Sequence, residues 1–156
     1  MAEKETKQEI TEAQLTQMAR QEENSLMNKQ AILERISSML KDTITAKEVL
    51  KEIQKTNGKV LINIGATVLI EAEAKDIKKC KRGFAENAYK EENIEETLKW
   101  LEKKEEQLQK QITKLGQEYS ESQQRLTSII GILKQIDSEK RKLIEQRKRQ
   151  PVTISK

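Results

Sequence analysis

Counting by sevens from Ile94 meets Leu101, Leu108, Leu115, Ser122, Ile129, Ile136 and Leu143. The positions four residues on are Leu98, Glu105, Ile112, Tyr119, Leu126, Leu133 and Lys140. Twelve of these fifteen are apolar or aromatic, which is a sustained heptad repeat. A repeat of that period holds one stripe against a partner helix and winds a left-handed supercoil. It predicts a helix over 94–144, roughly 75 Å long at about 1.5 Å per residue. Asn93 is placed to cap it, with Glu96 three residues later closing a capping box. Gly116 and Gly131 fall off the stripe, where each costs about 1 kcal/mol against Ala.

The first half repeats the pattern less strictly. Leu15, Met18, Leu26, Ile32, Leu33, Ile36, Met39, Leu40, Leu50 and Ile53 follow a spacing of three and four, giving a wider stripe that Glu22, Lys29 and Thr43 interrupt. Polar seam residues specify register at a cost in stability. Thr11 with Gln14 forms a capping box, and Ile10 with Leu15 is placed as a hydrophobic staple. The helix is predicted to run from 12 to 56 and to end at Asn57-Gly58, a pair suited to the left-handed C-terminal conformation.

Between the helices the period changes. Val60, Ile62 and Ile64 alternate with Leu61 and Asn63, and Gly65 breaks the run; Val68, Ile70, Ala72 and Ala74 then alternate with Leu69, Glu71, Glu73 and Lys75. A period of two predicts strands. Asp76 is a candidate turn, and Ile77–Lys81 and Phe84–Tyr89 read as two further strands around Arg82-Gly83. The fold class is therefore mainly α: a long antiparallel two-helix coiled coil with a small β-hairpin segment of about four short strands between the helices. By residue, 1–10 is a disordered N-terminal tip, 11–56 the first coiled-coil helix, 59–92 the hairpin assembly segment, 93–146 the second helix and 147–156 a basic flexible tail. An isolated hairpin is marginal in water and its edges invite pairing, so oligomerisation is expected.

Composition supports this elongated reading. Charged residues make up 36% of the 156-residue chain and aromatics only 3%, so one Trp, one Phe and two Tyr cannot fill a globular centre. Low hydrophobicity with high charge also marks disorder, but the heptad period favours helix. The chain lacks histidine, and Cys80 is its one cysteine. The commonest general base and neutral metal ligand are thus missing, as are cysteine-cluster zinc sites. Cys80 reads first as a small strand residue and second as a reactive thiol. The five glycines are scattered and form no phosphate loop. We therefore expect no enzyme, no catalytic residue, no metal and no cofactor. No apolar signal segment or membrane-length stretch is present in the sequence, which reads as cytoplasmic and soluble.

Helix, two hairpins and helix in a chain of this size resembles the alpha class of prefoldin subunits, from about Leu15 to Leu143. The run VLINIG (Val60–Gly65) is similar to that family's first strand and turn, although Asn63 stands where the family often has proline. NIEETLKWLEKK (Asn93–Lys104) is similar to its second-helix entry. The stretch IKKCKRGFAENAY is more basic and less apolar than the usual third and fourth strands. The beta class carries one hairpin, so the long insert favours alpha. The resemblance implies a hexamer of two alpha-class and four beta-class subunits, with hairpins forming a β-barrel platform. It further implies ATP-independent capture of non-native client proteins at the coiled-coil tips and transfer to a group II chaperonin.

On that reading Val60, Leu61, Ile62, Ile64, Val68 and Ile70 serve subunit assembly. Ile10, Leu15, Met18, Ile136, Leu143 and Ile144 are the candidate client-binding residues. Leu15, Met18 and Ile136 also lie on the predicted stripe, where the plainer reading is packing. Leu143 and Ile144 have the better claim to exposure, because the second helix should outrun the first beyond about residue 140. Residues 140–156 hold seven Lys or Arg against one acid, a charge of +6 where the rest carries −2. Such asymmetry can serve nucleic acid or a membrane surface. No aromatic is interleaved for base stacking, and a solvated charge run or a polar rim to a client site is the favoured reading. A generic coiled-coil scaffold is the alternative function, and nucleic-acid binding through the tail ranks third.

Overall fold

The computed structural model describes residues 10–149; most of the expected N-terminal tip and basic tail (1–9 and 150–156) lies outside these. The element order is α1 (Glu12–Lys55), β1 (Lys59–Gly65), β2 (Val68–Glu73), β3 (Lys79–Ala85), β4 (Ala88–Asn93) and α2 (Ile94–Arg149). The fold is two long helices with two antiparallel hairpins between them, as the alternating periods predicted. The described chain divides into two compact units, residues 33–114 and residues 10–32 with 115–149.

In the unit 33–114, α1 ends where the sequence placed its stop. Asn57 and Gly58 adopt φ of 51° and 89°, and Gly58 N–H donates to the Ile53 carbonyl at 2.9 Å. Here glycine is required twice over. A Cβ at Gly58 would lie 2.8 Å from the Ala74 carbonyl oxygen, and the left-handed φ already disfavours a side chain. The Gly58 carbonyl in turn accepts from Ala74 N–H at 2.9 Å, tying the helix end to the end of the first hairpin.

Strands β1 and β2 pair with Ile62 opposite Ile70 and Val60 opposite Ala72, and turn through Ala66-Thr67. Both turn residues have positive φ, 49° and 62°, as a tight two-residue hairpin demands. The second hairpin differs from the expectation. Its turn is Glu86-Asn87, and Arg82-Gly83 sits inside β3 with Gly83 opposite Tyr89. Asn87 takes φ of 61°, a conformation asparagine tolerates far better than most residues. Gly83 needs no positive φ and was misread as punctuation. Strand β4 then passes directly into α2, where Ile94 N–H donates to the Lys78 carbonyl at 2.9 Å. The expected Asn93–Glu96 capping box does not form; Glu92 and Thr97 hold the helix entry instead, at 2.8 Å. Along the helices of this unit Ile94, Leu101 and Leu108 are buried, and Lys47 forms an ion pair with Glu105.

In the unit formed by 10–32 and 115–149, the Thr11–Gln14 box closes as predicted. Thr11 N–H donates to Gln14 Oε1 at 2.8 Å, and Gln14 N–H donates to Thr11 Oγ1 at 3.3 Å. Leu15, Ala19 and Ile129 form the core, with Leu126, Leu133 and Ile136 packed against it. Glu12 pairs with Lys140, and Glu22 with Arg125 at 2.8 Å, so the helices run antiparallel. A polar layer interrupts the core at Ser122, which is fully buried. Its hydroxyl accepts from Lys29 Nζ at 2.6 Å and from an Arg125 guanidinium N–H at 2.9 Å. Lys29 also donates to the Glu118 carbonyl at 3.3 Å. Two of the interruptions read from the sequence, Glu22 and Lys29, thus make cross-helix bonds, the condition for tolerating polar groups in a seam; the third, Thr43 in the unit 33–114, donates instead to the Met39 carbonyl of its own helix at 2.7 Å.

The stripe on α1 is narrower than predicted. Met18, Ile32 and Met39 are exposed, and Ala19 occupies the buried position beside Met18. A two-helix contact buries only the a and d positions, and residues flanking them stay in water.

Candidate assembly and client-binding surfaces

The first hairpin follows from its sequence: β-branched residues set the strands, and cross-strand pairing holds them. Most of its apolar side chains lie in water. Leu61, Ile62, Ile64, Val68, Leu69 and Ile70 are all exposed, Leu61 at 63%. Val60 is half-buried, facing Ala72 across the pair. Five of the six residues proposed for assembly are therefore exposed, on both faces of a two-stranded sheet whose outer edges are unpaired among the described residues. Leu69 was grouped with the charged face in the sequence; its position opposite Asn63 adds it to the apolar surface. A shallow groove lined by Val49, Glu52, Thr56, Val60, Leu61 and Ala72 continues this surface onto the end of α1.

The second hairpin adds Phe84 and Tyr89, both exposed. Misplacing the turn hid them as a pair; the Glu86-Asn87 dipeptide was the signal that could have found them. This hairpin is anchored to α2 by a polar chain. Arg82 grips Glu92 with two bonds, 2.5 Å and 3.1 Å. Thr97 Oγ1 donates its one proton to Glu92 at 2.8 Å, so at 3.0 Å from Thr97 Oγ1 the Cys80 thiol is the donor. The Arg82 bonds, then Thr97, draw the Glu92 carboxyl below its ordinary range. Arg82 also lies 4.5 Å from the centroid of the Trp100 ring, with Lys104 at 4.8 Å. Cation–π contact of this kind favours a fixed guanidinium. Cys80 is thus a packed, hydrogen-bonded strand residue.

The six candidate client-binding residues divide. Leu15 is 7% exposed and belongs to the core, and Ile136 packs against it. Met18, placed on the stripe by the sequence, is 41% exposed. Ile10 precedes α1 and is also exposed. Leu143 and Ile144 are 58% and 54% exposed, because α1 begins at Glu12, opposite Lys140, while α2 runs on to Arg149. Ile10, Met18, Leu143 and Ile144 are thus exposed; Leu15 is buried and Ile136 is half-buried against the core.

No group of acidic, cysteine or histidine side chains among the described residues is arranged to hold a metal ion. No described helix is long and apolar enough to cross a membrane. The geometry gives two long helices and, between them, a β-segment that exposes apolar side chains. Residues 22–139 match the prefoldin subunit family. The chain belongs to the prefoldin family. Among solved structures it is similar to a chain of filamentous PFD from Methanocaldococcus jannaschii, seen by cryo-EM. That match has 19% identity and a TM-score of 0.59, and covers 74% of this chain and 97% of the other. No curated protein matches the sequence.

Proposed function

We propose that this chain is an alpha-class subunit of a hexameric, ATP-independent chaperone in which two such subunits join four beta-class subunits. Its work is to capture non-native proteins at the ends of its coiled coil and pass them to a group II chaperonin. The observation that carries the reading is the pair of hairpins with apolar side chains in water. A free subunit would not keep Leu61, Ile64, Leu69 and Phe84 exposed together without a partner to cover them. Two hairpins favour the alpha class, since beta-class subunits carry one. Capture is assigned to Ile10, Met18, Leu143 and Ile144, exposed aliphatic and thioether groups that suit adaptable contacts with many sequences.

Assembly and capture are tested separately. Co-expression with a beta-class subunit followed by mass measurement should give the two-to-four hexamer. Ile62→Asp with Val68→Asp should abolish it while leaving helical circular dichroism nearly intact. A wild-type chain that sediments as a well-behaved monomer at micromolar concentration, with or without that partner, rejects the assembly reading. Removing the residues before Ile10 and after Lys140 should leave the oligomer intact and sharply reduce suppression of client aggregation, with no effect of ATP. Full suppression by the truncated oligomer rejects capture at these ends and leaves a scaffold.

A further inference from the structure

We propose that the free end of α2 selects acidic unfolded segments, those in which carboxylates lie close to large apolar side chains. The inference rests on the reading that this end captures clients, and names the class it prefers. Between Lys140 and Arg149 the helix carries six cationic side chains and one carboxylate, Glu145. Two of the cations are already engaged, Lys140 by Glu12 and Arg141 by Asp137 at 2.9 Å. Lys142, Arg147, Lys148 and Arg149 have no carboxylate partner among the described residues.

Position makes this charge more than a solvated run. Ile136, Lys140, Leu143 and Arg147 are spaced by four, three and four, and Ile144 lies four beyond Lys140 and three before Arg147, so they share the helix face that packs against α1 earlier in this unit. Among the described residues, α1 begins at Glu12 and does not reach that face beyond Lys140. The face therefore presents two large aliphatic side chains, more than half exposed, with Arg147 on the next turn and Lys148 at the edge of the same face. A bound segment that buries Leu143 and Ile144 brings its own neighbouring side chains within a few ångströms of these cations. Carboxylates there gain attraction in a partly desolvated contact, and lysines or arginines meet like charge. Discrimination by repulsion is as effective as discrimination by attraction. Nucleic acid fits the same charge less well. Residues 137–149 contain no aromatic on which a base could stack, and a phosphate backbone gives no return for burying Leu143 and Ile144.

The test uses the full-length chain and two labelled, unstructured peptides that share their Leu and Phe positions, one with Glu and the other with Lys at every remaining charged position. A single-stranded oligonucleotide of equal charge to the Glu peptide is the third probe. The Glu peptide should bind about tenfold more tightly at low ionic strength, and the ratio should fall toward one as salt shortens the screening length to about 3 Å at 1 M. Replacing Arg147, Lys148 and Arg149 with Ser should erase the ratio while both peptides still bind. Leu143→Ser with Ile144→Ser should weaken both peptides together. Equal binding of the two peptides by a wild-type chain that still suppresses aggregation overturns the selectivity and leaves capture standing. Failure to bind either peptide overturns both. An oligonucleotide bound more tightly than the Glu peptide overturns the proposal in favour of nucleic acid.

Discussion

Replacing Leu108 by Ala tests the seam on which the helical architecture depends. Leu108 is 5% exposed, so the substitution removes three carbons from an almost fully dry position. At about 0.8 kcal/mol for each buried methylene, the transfer loss is roughly 2.4 kcal/mol. The cavity left behind adds to this by an amount set by how far the neighbours collapse, and core Leu→Ala changes span about 2–5 kcal/mol. A seam between two helices has solvent close on either side and relaxes easily, so the lower half of that span is expected. For a chain of this size that corresponds to a fall in melting temperature of about 5–10 °C. Gln109 is the control. It is exposed one residue along the same helix, and its change to Ala should stay within about 0.5 kcal/mol. Thermal unfolding followed by circular dichroism at fixed protein concentration reads both variants. Equal shifts would mean that the heptad phase through Ile94, Leu101 and Leu108 is wrong.

Three further perturbations separate the parts of the structure. Gly116→Ala and Gly131→Ala should each stabilise the protein by about 1 kcal/mol, because a Cβ at either site meets nothing within 4 Å; Gly58→Ala should instead lower the melting temperature, since its φ of 89° and the Ala74 carbonyl both exclude a side chain. Glu92→Gln should destabilise most at neutral pH. The Glu92 carboxyl is held below its ordinary value by Arg82 and Thr97. The stability it contributes is therefore present above about 4.3, the ordinary glutamate value, and is lost as pH falls through the lowered one; chemical denaturation at descending pH should show wild type and variant converging, and a constant gap would refute the linkage. Lys29→Ala should leave the buried Ser122 hydroxyl with one donor fewer and cost about 1–3 kcal/mol, read by denaturant unfolding against the exposed control Lys110→Ala.

Much of this protein is legible in its sequence. The heptads from Ile94 to Ile136, the stop at Asn57-Gly58 and the first hairpin around Ala66-Thr67 rest on local rules: a period, a left-handed residue, an alternation. Each is written in neighbouring residues, so the sequence alone determined helix, hairpins, helix, and with them the resemblance to prefoldin subunits. Phase and partnership were not so written. That Ala19 packs and Met18 does not depends on which way α1 is rotated against Ile129. That Glu22, Lys29 and Ser122 form one satisfied layer depends on bringing residues about ninety apart into contact. The turn at Glu86-Asn87 depends on β3 and β4 pairing in a register that places Gly83 opposite Tyr89. The anchoring of Arg82 by Glu92 and Trp100 required that hairpin to lie on α2. In each case the deciding energy is the burial or pairing of groups distant in the chain, and a one-residue shift of phase or register exchanges the buried set for the exposed one; that choice belongs to the tertiary structure.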